Sequence, residues 1–61
     1  MDVKQLIGKD GELIIGVNEN KEPVVVSGYA DHVEVKTNQK DGKVRIDTYD
    51  FRGLVKTEFE D

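Results

Sequence analysis

The single histidine of this chain, His32, follows Asp31 in the turn-forming stretch SGYAD. An imidazole beside a carboxylate could act as a pH-sensitive group or a ligand. Catalysis would need further groups whose proton affinity or nucleophilicity is tuned by neighbours, and the sequence offers no recognisable setting for one. With one histidine and no cysteine, the donor set for a transition metal is missing. A calcium loop would need acids at alternating positions through a dozen residues, and residues 41–52 carry basic or apolar side chains where ligands should be. The glycines spell neither a Walker loop nor a dinucleotide fingerprint. The sequence therefore predicts no catalytic residue, no metal and no cofactor, and a chain that is not an enzyme.

Recognition is the chemistry left to consider. The stretch TYDFRG, Thr48 to Gly53, sets two of the chain's four aromatics beside an acid and an arginine at a glycine turn, and Tyr29 lies in the turn before His32. Tyrosine and arginine are over-represented among residues that anchor protein interfaces. The candidate protein-binding residues are thus Tyr29, His32, Tyr49, Phe51 and Arg52. Within this group Phe51 is expected to pack inward over Ile7, Ile14 and Val25, leaving Tyr49 and Arg52 exposed for contact.

The elements that must position these residues are short. Glycine with aspartate or asparagine punctuates the chain at GKDG, NENKEP, SGYAD, QKDG and DFRG. Between these turns lie ELIIGV, PVVVS, HVEVKT, KVRIDTY and LVKTEF, each rich in branched or aromatic residues. Nine valines and four isoleucines against one alanine, Ala30, favour strands over helices. The spacing predicts an all-β fold: a five- or six-stranded antiparallel meander closing into a small barrel or sandwich. Residues 3–7 fit either a strand or one helical turn capped by Asp2. Gly16, inside a strand, suggests a bend, a bulge or the close approach of another backbone.

Registers follow from the turns. A two-residue type I′ turn at Asp41-Gly42 would pair Lys40 with Lys43 beside the turn, and would set Gln39 with Val44, Thr37 with Ile46 and Val35 with Thr48 on one face. It would pair Lys36 with Asp47 and Glu34 with Tyr49 on the other, whereas a four-residue loop would set Glu34 against Asp47 and Lys36 against Arg45, like charges directly opposite. Val35 and Ile46 would then share an apolar face. A turn at Asn20-Lys21 would bring Val17 to Val24, Ile15 to Val26 and Leu13 to Gly28 on a core face. A turn in GKDG would pair Leu6 with Ile15 and Ile7 with Ile14, making residues 12–17 a central strand apolar on both sides.

Sixty-one residues make a single small β domain, 1–61, with little spare stability. Lacking disulfide staples, such a domain depends on good packing or on self-association, so a homo-oligomer is a live expectation. No apolar run could span a bilayer and no secretion signal is legible, so the expectation is a soluble, cytoplasmic protein. The formal charge of −4 opposes broad contact with phosphate backbones. The favoured reading is a non-enzymatic module that binds another protein through its aromatic and arginine surface or through an open sheet edge, Val55 to Phe59 in particular. One alternative is an acidic mimic of nucleic acid using Asp47, Asp50, Glu58, Glu60 and Asp61. Another is a small barrel that stacks single-stranded nucleic acid on Tyr29, Tyr49 and Phe51 with help from Lys36, Arg45 and Arg52.

Overall fold

The computed structural model describes residues 3–61. Asp2, the expected cap, lies outside them. A single 3-10 turn, Val3–Leu6, opens the fold, so the N-terminal segment is the helical turn and not a strand. Five strands follow: β1 (Leu13–Val17), β2 (Pro23–Gly28), β3 (Val33–Asn38), β4 (Val44–Asp50) and β5 (Gly53–Glu60). They form one antiparallel sheet in the order β1-β2-β3-β4-β5, a plain meander. The sheet is open, with β1 and β5 as its edges, so the expected central strand at 12–17 is instead an edge. Among the described residues no helix is long and apolar enough to cross a membrane.

The β1–β2 and β3–β4 hairpins are each shifted by one residue from the registers expected above. Asn38 pairs with Val44, Thr37 with Arg45, Lys36 with Ile46 and Val35 with Asp47. The reason lies in the loop. Gln39 N–H donates to the Lys43 carbonyl at 2.9 Å and Gly42 N–H to the Gln39 carbonyl at 3.1 Å, enclosing three loop residues instead of two. Gly42 alone takes the left-handed conformation, at φ 91°, whereas a type I′ turn would need Asp41 there as well. The Asp41 carboxylate accepts the Lys43 N–H at 3.0 Å and holds this geometry. Val35 and Ile46 therefore lie on opposite faces.

The β1–β2 hairpin uses the same device. Asn18 N–H donates to the Glu22 carbonyl and Lys21 N–H to the Asn18 carbonyl, both at 3.0 Å, and Lys21 sits at φ 61°. Its strands pair Leu13 with Ser27, Ile14 with Val26, Ile15 with Val25 and Gly16 with Val24. The inward set of β1 is consequently Ile14 and Gly16. Leu13, Ile15 and Val17, expected in the core, are 61%, 77% and 67% exposed.

The core lies on one face of the sheet, where Leu6 packs with Val24, Val26 and Val33, and with half-buried Val3, Ile7, Ile14, Val35 and Tyr49 around them. Residues 8–11 do not form the expected hairpin turn between Leu6 and Ile15. Gly8 N–H instead donates to the Tyr29 carbonyl at 2.7 Å and Gly11 N–H to the Gly28 carbonyl at 3.1 Å, while Gly28 N–H donates back to the Glu12 carbonyl at 2.8 Å. This lashes the N-terminal segment to the end of β2. The approach is possible only at Gly28, where a Cβ would lie 2.6 Å from the Lys9 carbonyl oxygen and 2.7 Å from that of Leu6. Gly16, where a bend, a bulge or a close backbone approach is expected from the sequence, is regularly paired and faces open space.

Candidate interaction surface

The meander puts the β2–β3 and β4–β5 turns at the same end of the sheet, so Tyr29 and His32 come to the end that also carries Phe51 and Arg52. The N-terminal turn reaches this end too, with Lys4 Nζ donating to the Phe51 carbonyl at 3.5 Å. At the first turn the Tyr29 and His32 rings stack, 4.6 Å between centroids and 7° from parallel. Asp31 Oδ1 sits 2.6 Å from His32 Nδ1, and this hydrogen bond holds the Asp31 carboxyl below its ordinary range. Tyr29 Oη donates to Glu34 Oε1 at 3.2 Å, and the charge of Glu34 pushes the phenol up.

At the second turn Asp50 organises the chain. Its carboxylate accepts the Arg52 backbone N–H at 2.8 Å, Nε at 3.0 Å and Nη2 at 2.6 Å. These bonds lower the Asp50 pKa and raise that of Arg52. Both guanidinium bonds converge on Oδ2 while Oδ1 takes the backbone N–H, so one charged acceptor holds the turn and the Arg52 side chain together. The roles expected of the two neighbouring aromatics are reversed. Phe51 points to solvent, 74% exposed, instead of packing on Ile14 and Val25, and Tyr49 is half-buried against the core. The one-residue shift is the reason: Tyr49 pairs with buried Val33, and Phe51 is left in the turn beyond the sheet.

Beyond the turns, the apolar surface is concentrated on the sheet edges. Among the described residues the exposed large hydrophobics are Leu13, Ile15 and Val17 on β1, Phe51 in the last turn, and Leu54, Val55 and Phe59 on β5. The inner strands contribute none. Beside β1 the missing side chain of Gly16 leaves an apolar groove of about 360 Å³ against Ile14, Val24 and Val26. β5 is exposed along nearly its whole length, and the N-terminal turn packs on β2, β3 and β4 but not on β5. The sequence had pointed to the β5 edge. It missed β1 because Leu13, Ile14 and Ile15 are apolar at both parities, which reads as burial on two faces.

The five acids considered as a phosphate mimic do not form one track. Asp47 is buried on the core face, where Arg45 Nε donates to Oδ2 at 3.0 Å and Thr57 Oγ1 to Oδ1 at 2.6 Å. Asp50 is engaged by Arg52, and Glu58 opposes Ile46 on the other face. Of the basic residues expected to assist stacking, only Arg52 lies beside the turn aromatics, while Lys36 and Arg45 occupy opposite faces of the sheet. No group of three or more histidine or acidic side chains suited to a metal ion occurs among the described residues. No protein family, curated protein or solved structure matches this chain.

Proposed function

We propose that this chain is a non-enzymatic binding module that engages another protein through the edges of its sheet, with Phe51 and Arg52 extending the β5 edge at the turn. The observation that carries this reading is the confinement of the large exposed apolar side chains to β1, β5 and the turn before β5. Edge strands present unpaired backbone groups that template a further strand, and neighbouring apolar side chains supply the affinity. β1 has few devices against such pairing, carrying no charge between Leu13 and Val17, while β5 lacks proline and confines its charges, Lys56, Glu58 and Glu60, to one face. The closed barrel or sandwich expected from the sequence would, on this reading, be completed by the partner. The acidic-mimic and nucleic-acid-barrel alternatives fit less well, because the side chains each requires are split between faces or engaged with one another.

The test is affinity capture from the native cell followed by mass spectrometry, with three baits: the native chain, Ile15→Lys and Val55→Lys. Circular dichroism confirms that each bait is folded. The expected result is a protein held by the native chain and lost with one of the edge variants. Identical capture by all three baits overturns the reading.

A further inference from the structure

We infer that β5 pairs with β5 of a second copy of this chain, antiparallel about a two-fold axis at Thr57. This rests on the edge-binding reading and names one occupant of the β5 edge. β5 divides its side chains cleanly between faces. Lys56, Glu58 and Glu60 share the face of Thr48, Ile46 and Val44, while Thr57 and Phe59 share the core face with Asp47 and Arg45. The bulge opposite Tyr49 places Leu54 and Val55 on that core face as well. One side of the edge is thus a charged ladder and the other an apolar ladder, with Val55 50% and Phe59 59% exposed.

Residues directly opposite in an antiparallel pair share a face and contact each other. With Thr57 opposite its own copy, Lys56 of each chain meets Glu58 of the other, and Val55 of each meets Phe59 of the other. Both matches occur twice because the two-fold axis repeats them, and the interface is self-complementary. Within one chain Lys56 Nζ already lies 3.3 Å from Glu58 Oε1, so the four charges alternate in sign around the axis. Val55 and Phe59 from both copies meet on the other face as one apolar patch, covering surface that the N-terminal turn does not reach.

Neighbouring registers lack this complementarity. Centring on Lys56 sets lysine against lysine, and centring on Glu58 sets glutamate against glutamate. An odd shift puts apolar residues opposite charged ones. β1 is uncharged from Leu13 to Val17 and selects no register. Pairing β1 of one copy with β5 of the next is heterologous and builds rings or filaments, not a two-fold dimer. The β5 pair closes and joins two five-stranded sheets into one of ten strands.

Sedimentation equilibrium on the native chain and on Lys56→Glu, Glu58→Lys and the double variant tests the proposal. The native chain is expected to dimerise. Each single substitution sets like charges opposite one another twice and is expected to weaken the dimer by about tenfold or more. The double exchange restores opposite signs and should restore the dimer. An equimolar mixture of the two single variants should form the mixed dimer, in which both cross-strand pairs again have opposite signs. This last comparison uses the same two proteins alone and together, so it does not depend on the stability of either. A native chain that stays monomeric up to about 1 mM, or single variants that do not associate when mixed, overturns the self-pairing. The capture experiment is judged independently, because loss of a different protein with an edge variant leaves edge binding standing without the dimer.

Discussion

Thr57 Oγ1 donates a 2.6 Å hydrogen bond to Oδ1 of Asp47, linking the exposed edge strand β5 to a buried carboxylate of β4. Asp47 stands opposite Val35 on one side and Thr57 on the other, where an apolar residue would be the simplest choice. Its second oxygen is met by Arg45 Nε, two residues earlier on the same strand and face. A buried carboxylate is tolerable only when its lone pairs are engaged, and here the partners come from two strands. Thr57 thus supplies β5 with a polar anchor in place of the hydrophobic one it lacks.

Thr57→Val keeps the shape and removes the donor. The expected cost is about 1–3 kcal/mol, since a buried charged group loses a partner. Urea denaturation reads the loss, and amide exchange should quicken first along 54–59. Unchanged exchange in β5 would mean that the bond contributes nothing to holding the edge strand.

Gly28 and Gly16 are both strand glycines, yet they should respond oppositely to a methyl group. Gly28→Ala forces a Cβ against two backbone oxygens at 2.6 and 2.7 Å, so the N-terminal segment must lift away and take Leu6 with it. A loss of about 2–4 kcal/mol is expected, comparable to losing a buried leucine. Gly16→Ala meets open space beside Val24 and should leave stability unchanged or raise it by roughly 0.5–1 kcal/mol. Thermal melts of both variants check the contrast.

The two three-residue loops place their last residue in the left-handed region, Gly42 in one and Lys21 in the other. A residue with a Cβ is disfavoured there by about 1–2 kcal/mol. Lys21→Gly should therefore stabilise the fold, partly offset by the greater freedom glycine has when unfolded, and Gly42→Ala should destabilise it. Denaturation midpoints that move in the same direction for both would contradict the shared loop geometry.

Acid sensitivity should arise partly at Glu22. The Asn18 side-chain amide donates to Oε1 at 2.9 Å and the Lys40 backbone N–H to Oε2 at 3.1 Å, tying the two loops together and lowering the Glu22 pKa. The folded pKa lies below the unfolded one, so the unfolded chain binds more protons between them. The stabilisation is complete above the ordinary value of 4.5 and is lost as pH falls through the lower, folded value. Asp50, lowered by Arg52, and Asp31, lowered by His32, add the same sign from 3.8 downward. Stability measured against pH should fall less steeply below 4.5 in Glu22→Gln than in the native chain.

Of the surface residues named from sequence, Tyr29, His32, Phe51 and Arg52 do come to one end of the sheet, because consecutive hairpins of a meander turn at alternate ends. The β5 edge was legible for a similar reason, as the last strand of a meander has one neighbour. The opposite roles of Tyr49 and Phe51 were not legible, since both depend on a register that the charge pattern argued incorrectly. Pairing Lys36 with Asp47 had looked favourable. In the fold Asp47 finds Arg45 on its own strand and Thr57 on β5, partners that a two-strand comparison omits.

The sequence by itself determined the antiparallel meander and the bounds of its five strands to within one or two residues, and left open whether residues 3–7 add a sixth. Turn chemistry and branched side chains act locally, so glycine, asparagine and aspartate end a strand wherever it will later be packed. Val24, Val26 and Gly28 of β2 and Val35 and Thr37 of β3 lie on the core face as alternation predicts, but only the tertiary structure decided which parity of β1 and β4 joins them. Leu13, Ile14 and Ile15 on β1 and Val24, Val25 and Val26 on β2 are apolar in succession, so a slip of one residue exposes no charge and alternation cannot distinguish the registers. The choice follows the left-handed residues of the loops and the docking of Leu6, whose segment reaches the sheet only where Gly28 presents no side chain to block it.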